Sequence, residues 1–130
     1  MCFFIKENTE KLTEKARARK TDIVAYKVVS LKNGKYKSYF MDKHEWKKGL
    51  NKSSRRAKNI TPTELFQGNI TAGFHLLKTK YSVFKQYEWL LKTSDLFVVI
   101  ACSIKPSDIV AVNNSEIVAK NATLIKEVQV

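Results

Sequence analysis

Four glycines, two prolines, two histidines and two cysteines leave this 130-residue chain short of the usual raw material for catalysis. So few glycines offer little from which to build a phosphate-cradling loop, and neither the G-x-x-x-x-G-K-[ST] nor the G-x-G-x-x-G spacing occurs. Cys2 and Cys102 form no disulfide framework and no zinc-ligand spacing. His44 and His75 have no sequence-near partner that would suggest a dyad, and there is no nucleophile elbow or catalytic carboxylate pair. These absences point away from an enzyme, and no cofactor or metal is expected. Long apolar runs are missing too. The longest, Leu96 to Ile104, is far too short to cross a membrane. Met1-Cys2-Phe3-Phe4-Ile5-Lys6 lacks a basic region ahead of its four apolar residues, so it does not read as a signal peptide. With Cys102 inside an apolar strand as a small hydrophobe, the chain suits a reducing cytosol.

Acid is the other scarcity. Twelve Asp and Glu stand against 24 Lys and Arg, for a net charge of +12. The imbalance is uneven: residues 1–60 hold 17 basic against 6 acidic residues, and residues 61–130 hold 7 against 6. Codon bias toward lysine explains a net excess more easily than it explains this asymmetry. A field concentrated in one half of the chain attracts polyanions: nucleic acid, an acidic protein face or a nucleotide.

The length fits a single domain with a real core. Residues 1–20 read as a polar helix or arm, with Asn8 or Thr9 as cap and only Leu12, Ala16 and Ala18 to bury. Residues 21–130 read as one α+β domain, a curved, mostly antiparallel sheet with one main helix. Asp22 to Ser30 and Lys35 to Phe40 form a hairpin whose Asn33-Gly34 pair suits a type I′ turn. Residues 42–59 read as a loop with at most a short strand, and Thr61 or Thr63 could cap a turn through Glu64-Leu65-Phe66. Ile70 to Leu77 reads as a strand. The main helix spans about residues 80–92, since Val83, Phe84, Tyr87, Leu90 and Leu91 fall on one stripe. Leu96 to Ile104, apolar at eight of nine positions, is a central strand covered on both faces. Asp108 to Val112 and Glu116 to Lys120 follow as strands, and Thr123 to Val130, with its imperfect alternation, as an edge strand.

Three stretches together resemble a loose group of small phage and gut Bacteroidetes proteins. They are Met1-Cys2-Phe3-Phe4 leading to Ile23–Val29, Gly73-Phe74-His75 before the helix, and Ile109–Val112 leading to Ile125–Val128. The resemblance implies a phage or mobile-element origin. It also implies a class of proteins that inhibit bacterial defence systems, CRISPR nucleases included, within the host bacterial cytoplasm. The order of sheet and helix also resembles part of an ADP-ribosyltransferase fold, with His75 where such enzymes carry a nicotinamide-site residue.

The residues themselves offer two sites. The first is a basic face: Lys43, Lys47, Lys48, Lys52, Arg55, Arg56 and Lys58 around Trp46. Cations there would contact phosphate, the two arginines with bidentate forks, and Trp46 would stack on a base unless it is tucked into the core. The expected partner is a bacterial nuclease or ribonucleoprotein, through protein or RNA, and not a membrane. The second is a nucleotide pocket near Phe74, His75 and Tyr81. A hydrogen-bonded core histidine is the plainer account of His75, as a solvated edge residue is of Glu127.

Overall fold

A computed structural model describes residues 3–4, 7–38, 44–53, 69–70 and 73–129. The fold is α+β. Its organising strand is β8, Phe97–Ile104, which lies between β2, Ile23–Lys32, and β11, Asn121–Val128. Interior residues Val99 to Cys102 are buried, as expected for a strand covered on both faces. The remaining strands are β1 (Phe3–Phe4), β3 (Lys35–Ser38), β4 (Glu45–Trp46), β5 (Gly49–Lys52), β6 (Asn69–Ile70), β7 (Phe74–Leu77), β9 (Ile109–Val112) and β10 (Glu116–Ala119). β1 and β6 form a small separate ladder. The main sheet runs β5-β11-β8-β2-β7-β10-β9, antiparallel at each step.

This sheet must coil. Lys120 alone separates β10 from β11, yet the two strands stand four places apart. Across a flat sheet that gap is about 19 Å, and one intervening residue spans only about 7 Å. The curved sheet wraps a core of Trp46, Phe74, Leu76, Ile100, Cys102 and Ile117 with their neighbours. On one edge of β2 it also forks: β7 meets β2 at Tyr26, while β3 takes over from Val29 to Lys32.

The β2–β3 hairpin turns through Asn33 and Gly34 at φ of 54° and 74°, the two positive values a type I′ turn requires. Other expectations are corrected. β11 is not an edge strand, because it pairs with both β8 and β5. Its broken alternation is a bulge: Leu124 faces Cys102 and Lys126 faces Ala101, leaving Ile125 unopposed. The strand expected over Ile70–Leu77 is interrupted before Phe74, where Gly73 takes φ 89°.

The helix expected over 80–92 is two short ones, α2 (Lys80–Gln86) and α3 (Glu88–Thr93). They meet at Tyr87, which leaves helical geometry at φ −113°, ψ 21°. The anticipated apolar stripe is nonetheless the packed one: Val83 is buried, with Phe84, Tyr87, Leu90 and Leu91 around it. No proline or glycine marks the break. A straight rod touches a curved sheet over only a turn or two, and the bend keeps both pieces in contact.

The polar helix α1, Thr9–Arg17, docks on β9 rather than standing off as an arm. Its buried face is Thr9, Thr13 and Ala16, while Ala18 is exposed. The Thr13 hydroxyl donates to Thr9 O at 2.6 Å and accepts from Val112 N at 2.9 Å, so the helix covers part of the open edge of β9. Asn8 does not cap through its side chain, which instead donates to Asn114 Oδ1. The turn expected at 61–66 lies outside the described residues, as do Tyr39 and Phe40. No helix among the described residues is long and apolar enough to cross a membrane.

Candidate nucleic-acid interface

The basic face is built on a hairpin tip and a pinned loop. In β3, Lys35 and Lys37 point to solvent while Tyr36 and Ser38 turn inward. Because the turn takes only two residues, Lys32 is the direct cross-strand partner of Lys35. On the other side of β3, Lys37 faces Glu45 and Tyr36 faces Trp46, so the next position in line with Lys35 is Lys47. Lys32, Lys35, Lys47 and Lys48 therefore gather at one end of the sheet, all exposed. Like charges placed opposite one another in a ladder repel. Glu45 alone answers them among the described residues, at 3.7 Å from Lys35 and in an exposed pair worth little.

The Lys47–Lys48 loop is held by Asn51. This buried amide accepts from Lys47 N at 2.9 Å and donates to Lys47 O at 2.8 Å and to Gly49 O at 3.0 Å. His44 Nε2 donates to the same Oδ1 at 3.1 Å. All four hydrogen-bonding positions of the amide are filled. Gly49 completes the bend at φ 96°, a conformation other residues adopt only under strain. Lys52 is exposed at the far end of β5, opposite Asn121.

Trp46 corrects the expected stacking role. It is 2 % exposed, its Nε1 donates to Ser38 Oγ at 2.8 Å, and its ring lies 4.6 Å from Phe74. The indole fills the fork between β3–β4 and β7, so it cannot stack on a base at the surface. Lys43, Arg55, Arg56 and Lys58 lie outside the described residues. Lys32 and Lys35 were missing from the sequence-derived face, although the Asn33-Gly34 turn itself implies that they face one another.

The expected nucleotide pocket is not assembled. Phe74 is 1 % exposed against Trp46 and His44. Strand alternation turns His75 to the opposite, α2 side with Leu77, where it is largely buried. Its carbonyl accepts from Lys27 Nζ at 2.9 Å. Tyr81 is 70 % exposed on α2 and lines a separate cleft of about 370 Å³ with Phe84, Lys85, Glu88, Leu91 and Lys92.

The ionisable interior is structural in character. Burial pushes the Cys102 thiol up to about 12, with Lys27 opposing, so Cys102 favours the inert thiol form at neutral pH. Glu127 accepts from Tyr36 OH at 3.1 Å rather than pairing with a base, and the Tyr36 hydroxyl is raised by burial and by this bond. Burial also raises the Glu116 carboxyl, with Lys27 opposing, and its Oε2 accepts no hydrogen bond. A pKa raised by folding favours the protonated carboxyl. Its stability contribution is present below the ordinary glutamate range and is lost as pH rises through the raised value. Glu116→Gln is thus expected to melt higher than the parent at about pH 7 and level with it at about pH 3. An equal Tm at both values would contradict this. No group of three or more His, Cys, Asp or Glu among the described residues could hold a metal ion.

Comparisons with family models, with curated proteins and with solved structures give no match to this chain.

Proposed function

We propose that this protein is a non-enzymatic binding module whose lysine-rich end engages the phosphates of an RNA-containing target. The row of Lys32, Lys35, Lys47 and Lys48 carries this reading: four exposed ammonium groups at one end of the sheet, answered among the described residues by a single carboxylate. Such a row is tolerated in solution only because water and salt screen it, and releasing its counterions onto a polyanion favours binding. Asn51 keeps two of the four on a fixed backbone, which limits the ordering cost of contact. Lys52, Arg55 and Arg56 extend the charge along the chain.

In its sharper form the target is a bacterial defence nuclease that works with a guide RNA, in the host cytoplasm, and the protein obstructs substrate entry or guide function. The resemblance of Met1–Phe4 with Ile23–Val29, of Gly73–His75, and of Ile109–Val112 with Ile125–Val128 to small phage and gut Bacteroidetes proteins supports this form.

The test is Lys47→Glu with Lys48→Glu. RNA affinity should fall at every salt concentration, and the slope of log K against log salt should shrink by about 1.4 for a single strand. Tm should be unchanged, both side chains being exposed. Equal affinity in parent and variant would sink the RNA-binding reading. A pull-down from bacterial lysate, with and without ribonuclease, addresses the inhibitor form. It requires one nuclease complex retained at high salt, and broad RNA shed at low salt would refute it.

A further inference from the structure

Two aromatic side chains are left in water by an otherwise well-filled fold. Trp89 on α3 is 75 % exposed and Tyr81 on α2 is 70 % exposed. Neither helix needs them for packing, since the stripe that packs on the sheet is buried Val83 with half-buried Phe84, Tyr87, Leu90 and Leu91. Tyr81 and Phe84 line the cleft of about 370 Å³ with Leu91 as floor, Lys85 and Lys92 as cations and Glu88 as the one acid. Glu88 is already neutralised by Lys92, whose Nζ sits 2.6 Å from its Oε1. The aromatic faces already carry cations: Lys85 lies 5.7 Å from the Tyr81 ring and Lys80 5.8 Å from the Phe84 ring. Trp89 lies outside that lining, on the exposed side of α3 one turn before Lys92.

This face joins the basic row. Leu31 N donates to Leu96 O at 2.6 Å, and Ser30 pairs with Phe97. The chain leaving α3 at Thr93 therefore arrives beside Lys32 within a few residues. The C-terminal end of α3 and Lys32 thus lie at the same end of the β2–β8 pair.

We infer that the α2–α3 face is a stacking platform for single-stranded RNA, with bases against Tyr81 and Trp89 and phosphates near Lys80, Lys85 and Lys92. The inference rests on the proposed RNA-binding function and deepens it by naming the form of RNA and the residues that hold its bases. The chemistry selects this occupant. An apolar partner would bury Lys80 and Lys85 beside no carboxylate of the described residues, since Glu88 already pairs with Lys92, and a duplex hides its base faces from the rings. A single strand offers an unstacked base and a phosphate at every step, which exposed rings interleaved with lysines match. Trp46, buried 2 % exposed in the core, cannot perform this role.

The experiment titrates the full chain with a single-stranded oligouridine and, in parallel, with an RNA duplex of the same length. Tryptophan emission reports contact in the parent and in Tyr81→Ala, because Trp89 is exposed while Trp46 is shielded, and the anisotropy of an end-labelled oligouridine gives the affinity of every variant, Trp89→Ala included. The single strand should quench emission and bind more tightly than the duplex. Tyr81→Ala and Trp89→Ala should each weaken it by about tenfold, with the salt slope unchanged because no charge is removed. Both positions being exposed, their Tm should match the parent, and Lys85→Glu provides an independent variant that lowers both affinity and slope. Parent-like affinity in Tyr81→Ala and Trp89→Ala would overturn the platform, as would equal binding of the duplex or full displacement of the strand by uridine monophosphate at similar concentration. If those variants are silent while Lys47→Glu with Lys48→Glu abolishes binding, the platform falls and the basic-row function stands. If the parent binds no RNA, both fall.

Discussion

Replacing Trp46 with alanine is expected to remove about 3–5 kcal/mol of stability, a large share of the roughly 5–15 kcal/mol that holds a domain folded. The indole is 2 % exposed and sits where the sheet forks, between the β3–β4 ladder and β7. Its ring lies 4.6 Å from Phe74 and meets His44 edge-on at 5.2 Å, so its loss opens a cavity lined by two other rings. The strands beneath cannot collapse to fill that cavity, because Ser38 N donates to His44 O at 2.8 Å and fixes their spacing. Truncation also leaves the buried Ser38 hydroxyl without the Nε1 donor now 2.8 Å away. Urea unfolding of Trp46→Ala should show a much lower midpoint at unchanged slope. Trp46→Phe, which keeps most of the ring but loses the hydrogen bond, should cost about 1–2 kcal/mol. A midpoint for Trp46→Ala close to that of the parent would show that the indole is not part of the core.

Much of this architecture is legible in the sequence, and the failures have physical causes. The Leu96–Ile104 run declares a strand covered on both faces because eight of its nine residues are apolar, and the interior of β8, Val99 to Cys102, is buried accordingly. Asn33-Gly34 specifies its turn because few other pairs accept positive φ twice. Apolar counting finds Leu12 and Ala16 on the packed side of α1 but misses Thr9 and Thr13, which are buried beside them. The side-chain hydroxyl of Thr13 serves strand edge and helix backbone at once, so a helix poor in hydrophobes still docks. It fails again at β11, where the bulge at Ile125 shifts the alternation and imitates an edge. Charge counting locates the basic half but not the row, since Lys32, Lys35 and Lys47 become neighbours only through register. The choice between a stacking and a buried Trp46 was open for a like reason: the alternation of two short strands decides it, and two residues of β4 carry no readable period. The exposed Trp89 was hidden by its helix, because the stripe that buries α2 and α3 passes one position to its side.

Asn51→Ala is expected to cost about 2–4 kcal/mol and to weaken RNA binding without changing its salt dependence. The stability loss follows from what the amide leaves behind. Lys47 N, Lys47 O and Gly49 O lose their partners in a half-buried loop, and each such orphan costs about 1–3 kcal/mol when water cannot replace the bond. Asn51→Asp separates donor from acceptor. A carboxylate can still accept from Lys47 N and His44 Nε2, but it sets an oxygen against the two carbonyls that Nδ2 now serves. The aspartate variant should therefore be no more stable than the alanine one, despite its closer shape and its added negative charge beside lysines. The binding effect follows from position. Freed from Asn51, the Lys47–Lys48 backbone must be ordered again on contact with phosphate, and affinity drops by that ordering cost. The same cations make contact once bound, so the slope of log K against log salt stays at the parent value. Charge reversal at Lys47 and Lys48 predicts the opposite combination, lower slope with unchanged Tm. A variant at Asn51 that lost affinity and slope together would mean that the loop, once freed, no longer delivers its lysines at all, and that the row depends on the pin for its existence rather than for its readiness.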